Sequence, residues 1–197
     1  MALWPKKFLE RMRRLLGAEY PAFREELERP PVRGLRVNRL RCSPARFERL
    51  AADGLPGVTL TAVPFSPAGF AVEGPLSGRH PWHHAGLFYL QEPSAMAAVT
   101  AADIRPGMRV LDLCAAPGWI YPPAASALMG KGFLLSNEVV PGRTGALLSN
   151  LERMGVRNAA VTCELPERLC TVLADGFDVV LVDAPCSGEG LFRREPD

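Results

Sequence analysis

Three short segments of the chain carry the residue types most capable of chemistry, and each of them follows a predicted strand. The first is Cys114-Ala-Ala-Pro-Gly118, where small residues would let the backbone approach a ligand closely. The second is Glu138, 24 residues after Cys114, whose carboxylate could accept hydrogen bonds from both hydroxyls of a ribose. The third is Asp183-Ala-Pro-Cys-Ser-Gly188, a stiff turn that would hold a carboxylate and the Cys186 thiol over the same crevice.

Each segment also has an ordinary explanation. Gly118 alone could mark a turn, an acid such as Glu138 often closes a strand in α/β folds, and a lone cysteine such as Cys186 is more often a small packed side chain than a catalyst. Their order within one pattern of strands and helices favours a nucleoside-cofactor site. No G-x-G-x-x-G follows the first strand, which argues against a Rossmann-type oxidoreductase.

The elements that must position these segments begin near residue 86. Apolar strands are predicted at 108–114, 133–138, 159–163 and 177–183, and helical stretches lie between them, including one from Arg143 to Met154 that Gly155 closes. This alternation is typical of a parallel sheet covered on both faces. Ligands of such sheets bind beyond the carboxyl ends of the strands, which is where all three segments fall.

The preceding part of the chain differs in its predicted elements and in its charge. Helices are predicted up to Gly17, after Pro21 and over 44–52, and short strands at 34–40, 58–63 and 70–72. Residues 1–50 carry 13 Lys+Arg against 6 Asp+Glu, whereas the remainder carries 10 against 15. A basic front favours a polyanionic partner such as nucleic acid, although arginine-rich helices are often only solvated faces.

Composition excludes several classes of protein. None of the apolar stretches approaches the roughly 20 residues of a membrane span, and the charged N-terminus has no secretory apolar region behind it. The five cysteines include no C-x-x-C, which argues against a disulfide framework or a zinc site and favours reduced thiols in the cytoplasm. The histidines at 80, 83 and 84 lack matching ligands, so we expect a loop there and no metal.

The segment Asp183-Ala-Pro-Cys-Ser-Gly-Glu-Gly190 resembles the RNA (cytosine carbon-5) methyltransferases of the Sun type, most closely the RsmF-like small-subunit rRNA enzymes. Four further segments agree with that family: Gly34-Leu-Arg-Val-Asn38, Tyr89-Leu-Gln-Glu-Pro-Ser94, Val110-Leu-Asp-Leu-Cys-Ala-Ala-Pro-Gly118, and Ser136-Asn-Glu138 followed by Arg143. The resemblance extends over essentially the whole chain.

The resemblance implies an α/β fold in two parts. A small basic α+β module for RNA binding would occupy residues 1–85. An incomplete Rossmann-like S-adenosylmethionine-dependent methyltransferase core would occupy residues 86–197. The implied partner is RNA, ribosomal RNA in particular, and no membrane or metal is implied. The oligomeric state stays open.

The resemblance also assigns roles to residues. The residues implied to bind S-adenosylmethionine are Cys114, Ala115, Ala116, Pro117, Gly118, Glu138, Arg143 and Asp183. Asp183 would also stabilise the cytosine adduct, and Cys186 would take part in expelling the enzyme thiol after methyl transfer. In this family the thiol that attacks carbon 6 of cytosine belongs to a Thr-Cys motif after the fifth strand. Asp112 is expected at or near the same crevice.

The sequence departs from the family pattern in two places that bear on activity. It ends at Asp197 without the Thr-Cys nucleophile. Trp119 and Ile120 stand where the family has Gly and Lys, and Pro122-Pro123 should keep the preceding residues extended. Leu165 stands where the family has an acid after the third strand. We therefore expect an RNA cytosine methyltransferase by family whose 197 residues are inactive alone; the alternatives are a non-catalytic RNA-binding module or a defective copy.

Overall fold

The computed structural model describes residues 4–116 and 121–189, and it divides the chain into two compact units. The first unit holds residues 1–31 and 185–197. Its helices are α1 (Lys6–Leu16) and α2 (Tyr20–Glu28), joined by a single 3₁₀ turn at Gly17–Glu19. Aromatic rings hold the pair together, since Phe8 lies 6.3 Å from Phe23 between ring centroids. The predicted helix end at Gly17 is confirmed.

The second unit, residues 32–184, contains two sheets. The first sheet is antiparallel, in the order β2-β3-β1-β4. Its strands are β1 (Arg33–Val37), β2 (Thr59–Ala62), β3 (Gly69–Glu73) and β4 (Phe88–Leu90). Helix α3 (Pro44–Gly54) covers one face through Phe47, whose ring meets those of Phe70, Trp82 and Phe88. The sheet therefore runs past residue 85, where the sequence predicted the first module to end.

The second sheet is parallel, in the order β7-β6-β5-β8. Its strands are β5 (Arg109–Asp112), β6 (Phe133–Asn137), β7 (Ala159–Thr162) and β8 (Val179–Leu181). The helices of this part are α4 (Pro81–His84), α5 (Met96–Ala101), α6 (Tyr121–Leu128), α7 (Pro141–Met154) and α8 (Pro166–Val172). Val110 and Leu134 are fully buried beneath Leu128 and Leu147. The predicted parallel α/β core is confirmed.

Helix α6 corrects one expectation from the sequence. It begins at Tyr121 and contains both Pro122 and Pro123 in its first turn, so Tyr121 is helical rather than extended. The first four N–H groups of a helix have no acceptor within the helix, and proline there loses no hydrogen bond. The proline pair is therefore compatible with the start of the helix that follows β5.

A short bridge of hydrogen bonds fastens the two sheets to each other. The side-chain amide of Asn38 donates to the carbonyl oxygens of Gly86 and Met154, at 2.8 and 2.9 Å. Gly86 has a φ of +70°, and a Cβ there would collide with the carbonyl oxygen of Arg153. Arg153 in turn donates to the His83 carbonyl oxygen at 2.6 Å. Residues 32–184 thus behave as one packed body. Across the described parts of the chain, no helix is long and apolar enough to cross a bilayer.

Candidate functional site

The carboxyl end of β5 places a buried acid at the centre of the parallel sheet. Asp112 is fully buried and lies in register with Ser136 of β6, so both side chains are on the same face of the sheet. Neither the two Asp112 oxygens nor the Ser136 hydroxyl completes a hydrogen bond within the described residues. Burial raises the pKa of Asp112 to about 7; the nearby Cys114 backbone amide lowers it and the charge of Asp183 raises it further.

The end of β6 is organised by Asn137, which is also fully buried. Its amide nitrogen donates to the carbonyl oxygens of Leu113 and Glu164, at 3.2 and 2.9 Å. Its amide oxygen accepts from the Thr162 hydroxyl at 2.9 Å and from the Glu164 backbone N–H at 3.0 Å. The Asn137 backbone carbonyl accepts from the Ala115 N–H at 2.8 Å. One residue therefore ties together the loops that follow β5, β6 and β7.

Glu138 stands next to this hub, with its carboxylate held in place by two groups. Its Oε1 accepts the Val140 backbone N–H at 2.8 Å, and its Oε2 lies 3.7 Å from the Arg143 guanidinium. Arg143 also donates to the Ala116 carbonyl oxygen at 3.1 Å. The start of α7 thus connects Glu138 to the loop after β5.

The charges of Asp112, Glu138 and Asp183 meet at Cys114. Burial raises the pKa of the Cys114 thiol, and the charges of Asp112, Glu138 and Asp183 raise it further. A thiol among carboxylates keeps its proton, so Cys114 is unsuited to act as a nucleophile. Asp183 itself is exposed, just after β8.

The described part of this cluster does not include every predicted site residue. Pro117 and Gly118, together with Trp119 and Ile120, lie outside the described residues. Cys186 is exposed and belongs to the first unit, so its catalytic role stays a prediction. The structure does bring together the predicted residues Cys114, Ala115, Ala116, Glu138, Arg143 and Asp183, and it places Asp112 at the same edge.

Ser136 and Asn137 are the residues whose function the sequence did not predict. Both lie inside an otherwise apolar strand, Phe133–Asn137, and both are fully buried. A polar pair at the carboxyl end of a buried strand was the available signal, because buried polar groups require partners.

The electrostatics of the site suit a ligand with hydroxyls and positive charge. Carboxylates from three strand ends lie close enough to Cys114 to raise the pKa of its thiol, and Arg143 pairs with one of them, Glu138. Within residues 4–116 and 121–189, no group of three or more His, Cys, Asp or Glu side chains could hold a metal ion.

His83, in the histidine segment, has its pKa lowered to about 4 by burial and by Arg153 and His84, which favours a neutral ring.

Two family models match the chain. The N-terminal domain of 16S rRNA methyltransferase RsmF matches residues 4–93, and 16S rRNA methyltransferase RsmB/F matches residues 99–197. The ribosomal RNA small subunit methyltransferases F of Escherichia fergusonii and Shigella dysenteriae serotype 1 are each 38% identical to it over 98% of its length. The chain spans 42% of the length of these relatives.

Solved structures support the same fold. A methyltransferase homologue from Pyrococcus horikoshii superposes with a TM-score of 0.83 at 31% identity, covering 97% of this chain and 62% of that one. NSun6 from Pyrococcus horikoshii, solved with SFG, has a TM-score of 0.80 at 18% identity, covering 94% and 71%. At that identity the second likeness concerns the fold alone.

Proposed function

Since the chain belongs to the RsmB/F family of 16S rRNA methyltransferases, we propose that it serves in the transfer of a methyl group from S-adenosylmethionine to carbon 5 of a cytosine in ribosomal RNA. The observation that carries this proposal is the convergence of Asp112, Glu138 and Asp183 around Cys114. With ribosomal RNA as substrate, the cytoplasm is the compartment in which we place the protein.

The described residues fit the cofactor. Glu138, fixed by Val140 and Arg143, would accept hydrogen bonds from both ribose hydroxyls. The uncompensated carboxyl of Asp112 and the exposed carboxylate of Asp183 would face its positively charged groups. When bound, S-adenosylmethionine supplies an electrophilic methyl group. The other cofactor contacts implied by the resemblance, at Pro117 and Gly118, remain part of the proposal.

The same residues set out what this chain can do to cytosine. Asp183, exposed beyond β8, is available to hydrogen-bond the ring of a base extruded into the crevice. Covalent activation requires a thiolate that adds to carbon 6 and is expelled once the carbon-5 proton leaves. Cys163 follows Thr162 but closes β7, with its thiol 3.8 Å from the Val139 carbonyl oxygen. We therefore propose that these 197 residues bind RNA and retain a cofactor site that Trp119 and Ile120 weaken, without methyl transfer by them alone.

Calorimetry with S-adenosylmethionine tests the site. We expect weak or absent binding by the unaltered chain, because Trp119 and Ile120 replace a small residue and a cation. The double substitution Trp119→Gly with Ile120→Lys should restore binding. Glu138→Gln in that background should weaken binding at least tenfold, because a charged hydrogen bond to each of two hydroxyls is lost. Glu152→Gln, the same change at an exposed position of α7, is the control.

Two results would contradict the proposal. Tight binding by the unaltered chain would refute the interpretation of Trp119 and Ile120. Equal affinity of the Glu138→Gln and Glu152→Gln variants for S-adenosylmethionine would show that Glu138 does not contact the ribose.

A second candidate, RNA binding without catalysis, is favoured by the basic front of the chain. Residues 1–50 carry more than twice as many basic as acidic side chains. RNA affinity that falls steeply with salt, without S-adenosylmethionine binding even after Trp119→Gly with Ile120→Lys, supports this function, because phosphate contacts release counterions. Methyl incorporation by the unaltered chain would exclude it.

A further inference from the structure

Arg36 occupies a position in the first sheet that the site described above does not explain. It lies at the centre of the family-like segment Gly34-Leu-Arg-Val-Asn38, in register with Gly69 on β3 and Tyr89 on β4. Leu35 and Val37 point into the core beneath α3, so strand alternation places Arg36 on the opposite face. That face is only partly open to solvent, because Arg36 is half-buried there.

The charge of Arg36 has no compensating carboxylate within the described parts of the chain. Its guanidinium makes one long hydrogen bond, 3.4 Å, to the Met96 carbonyl oxygen. Burial, and then repulsion from Arg39, lower its pKa to about 10. Elsewhere in the same unit, Arg143 has Glu138 at 3.7 Å and is more exposed. A half-buried guanidinium without an acid is unfavourable unless an anion comes from outside.

The surroundings of Arg36 define what kind of anion fits. Arg36 lines a narrow crevice whose walls are formed by Val37, Asn38, Tyr89, Pro123, Ser126 and Met154. No acidic side chain is among these residues. The backbone N–H of Arg39 is fixed by the Ser126 hydroxyl at 2.9 Å. On the other side, the Arg153 guanidinium lies 5.7 Å from the centre of the Tyr89 ring. Arg36 and the Tyr89 ring thus line the crevice, and Arg39 and Arg153 each contact one of its lining residues.

We propose that Arg36, with Arg39, binds a phosphodiester group of the RNA strand at the mouth of this crevice. This inference rests on the proposed function, because RNA is the polyanion implied there. A guanidinium matches phosphate oxygens with two parallel hydrogen bonds, which an ammonium cannot do. The crevice is too narrow to take in a whole small ligand. An anion that reaches Arg36 would therefore lie at the mouth of the crevice, with the rest of its molecule outside, as a phosphate group in the backbone of a polymer can. Helix α6, which contributes Pro123 and Ser126, is the next element after β5 in chain order.

Binding of a single-stranded RNA oligonucleotide, followed by fluorescence anisotropy over a range of salt, tests the proposal. Arg36→Gln should make the plot of log affinity against log salt shallower by about 0.7, the release of one phosphate's counterions, and lower affinity about fivefold at 0.1 M salt. Arg36→Lys should keep the slope. Arg105→Gln, which removes an exposed arginine paired with Asp103, controls for the loss of one charge.

Thermal unfolding separates this role from a structural one. Arg36→Gln removes a half-buried and repelled cation, so the melting temperature without RNA should stay the same or rise. Inorganic pyrophosphate should raise the melting temperature of the unaltered chain more than that of Arg36→Gln. A large drop in melting temperature on Arg36→Gln, without any change in the salt slope, would make Arg36 a packing residue and overturn the proposal.

Three further outcomes also count against it. Equal slopes of log RNA affinity against log salt for Arg36→Gln and Arg105→Gln would mean that losing any one positive charge has this effect, wherever it lies. Lower affinity for S-adenosylmethionine on Arg36→Gln in the Trp119→Gly, Ile120→Lys background, with an unchanged RNA slope, would show that the anion is the cofactor carboxylate. Absence of RNA binding by the unaltered chain would remove the phosphate site, and calorimetry of the Trp119→Gly, Ile120→Lys variant with S-adenosylmethionine would then show separately whether the proposed cofactor site fails too.

Discussion

Replacing Asp112 by asparagine should change how the free energy of unfolding depends on pH. Asp112 is fully buried without a completed hydrogen bond among the described residues, and its pKa is raised from an ordinary value of 3.8 to about 7. Between these two values the unfolded chain has released the proton while the folded chain still holds it. The folded state therefore binds more protons there, and stability falls as the pH rises.

The size of the effect follows from the shift. A difference of about 3 pH units, at about 1.4 kcal/mol per unit, removes about 4 kcal/mol of stability once the pH exceeds the folded pKa. That stability is fully present below about pH 4 and is lost progressively up to about pH 7. Asparagine is neutral throughout and can pair with the Ser136 hydroxyl in register beside it. The advantage of the variant should therefore grow by about 2–3 kcal/mol between about pH 5 and pH 8.

Urea unfolding of the Asp112→Asn variant and of the unaltered chain at several pH values measures the difference in their free energies of unfolding. The other titrating groups are the same in both proteins, so their contributions cancel in this difference. Asp175→Asn, the same change at an exposed position, controls for the loss of one carboxylate. A difference between the Asp112→Asn variant and the unaltered chain that stays constant from about pH 5 to pH 8 would refute the reasoning, because a carboxyl that does not titrate differently on unfolding has no such pH dependence.

Three other substitutions test parts of the fold. Asn137→Asp keeps the size but turns a carboxylate toward two backbone carbonyls, so urea unfolding should show a loss of at least about 2 kcal/mol, with less hydrogen-exchange protection in the loop after β5. Gly86→Ala should lower the melting temperature, because its Cβ would strike the Arg153 carbonyl at positive φ, whereas Gly142→Ala, with open space around it, should not. Ser43→Ala removes the hydroxyl that accepts the Arg46 N–H, and should reduce the unfolding free energy by about 1 kcal/mol.

Local signals in the sequence predicted most of the parallel sheet. The helix ending at Gly155 is an example, since the residue there has a φ of +73° and caps α7. Short elements escaped prediction: β4 is three residues long, and α8 has seven, too few to establish a hydrophobic period. The first turn of α6 was misjudged because the steric restriction before proline was given more weight than the lack of acceptors at a helix start.

The sequence predicted the site residues that close a strand. It did not predict the residues whose hydrogen-bond partners come from distant parts of the chain. Glu138 was identifiable because it closes a strand. The function of Asn137 depends on Leu113 and Glu164, which lie 24 and 27 residues away in sequence. Arg36 illustrates the same limit, since alternation predicts only that it lies on the face opposite Leu35, and tertiary packing determines whether that face is covered.

The bridge at Asn38 has a consequence for the order of events during translation. Its amide donates to the carbonyl of Met154, which is added to the growing chain 116 residues later. Until α7 has left the ribosome, one hydrogen of the Asn38 amide lacks its acceptor and must stay hydrated, because burying it unpaired would cost about 1–3 kcal/mol. The end of β1 is therefore expected to stay open to water on the nascent chain, even though the four strands of the first sheet emerge first. Completion of the parallel sheet then closes both sheets together.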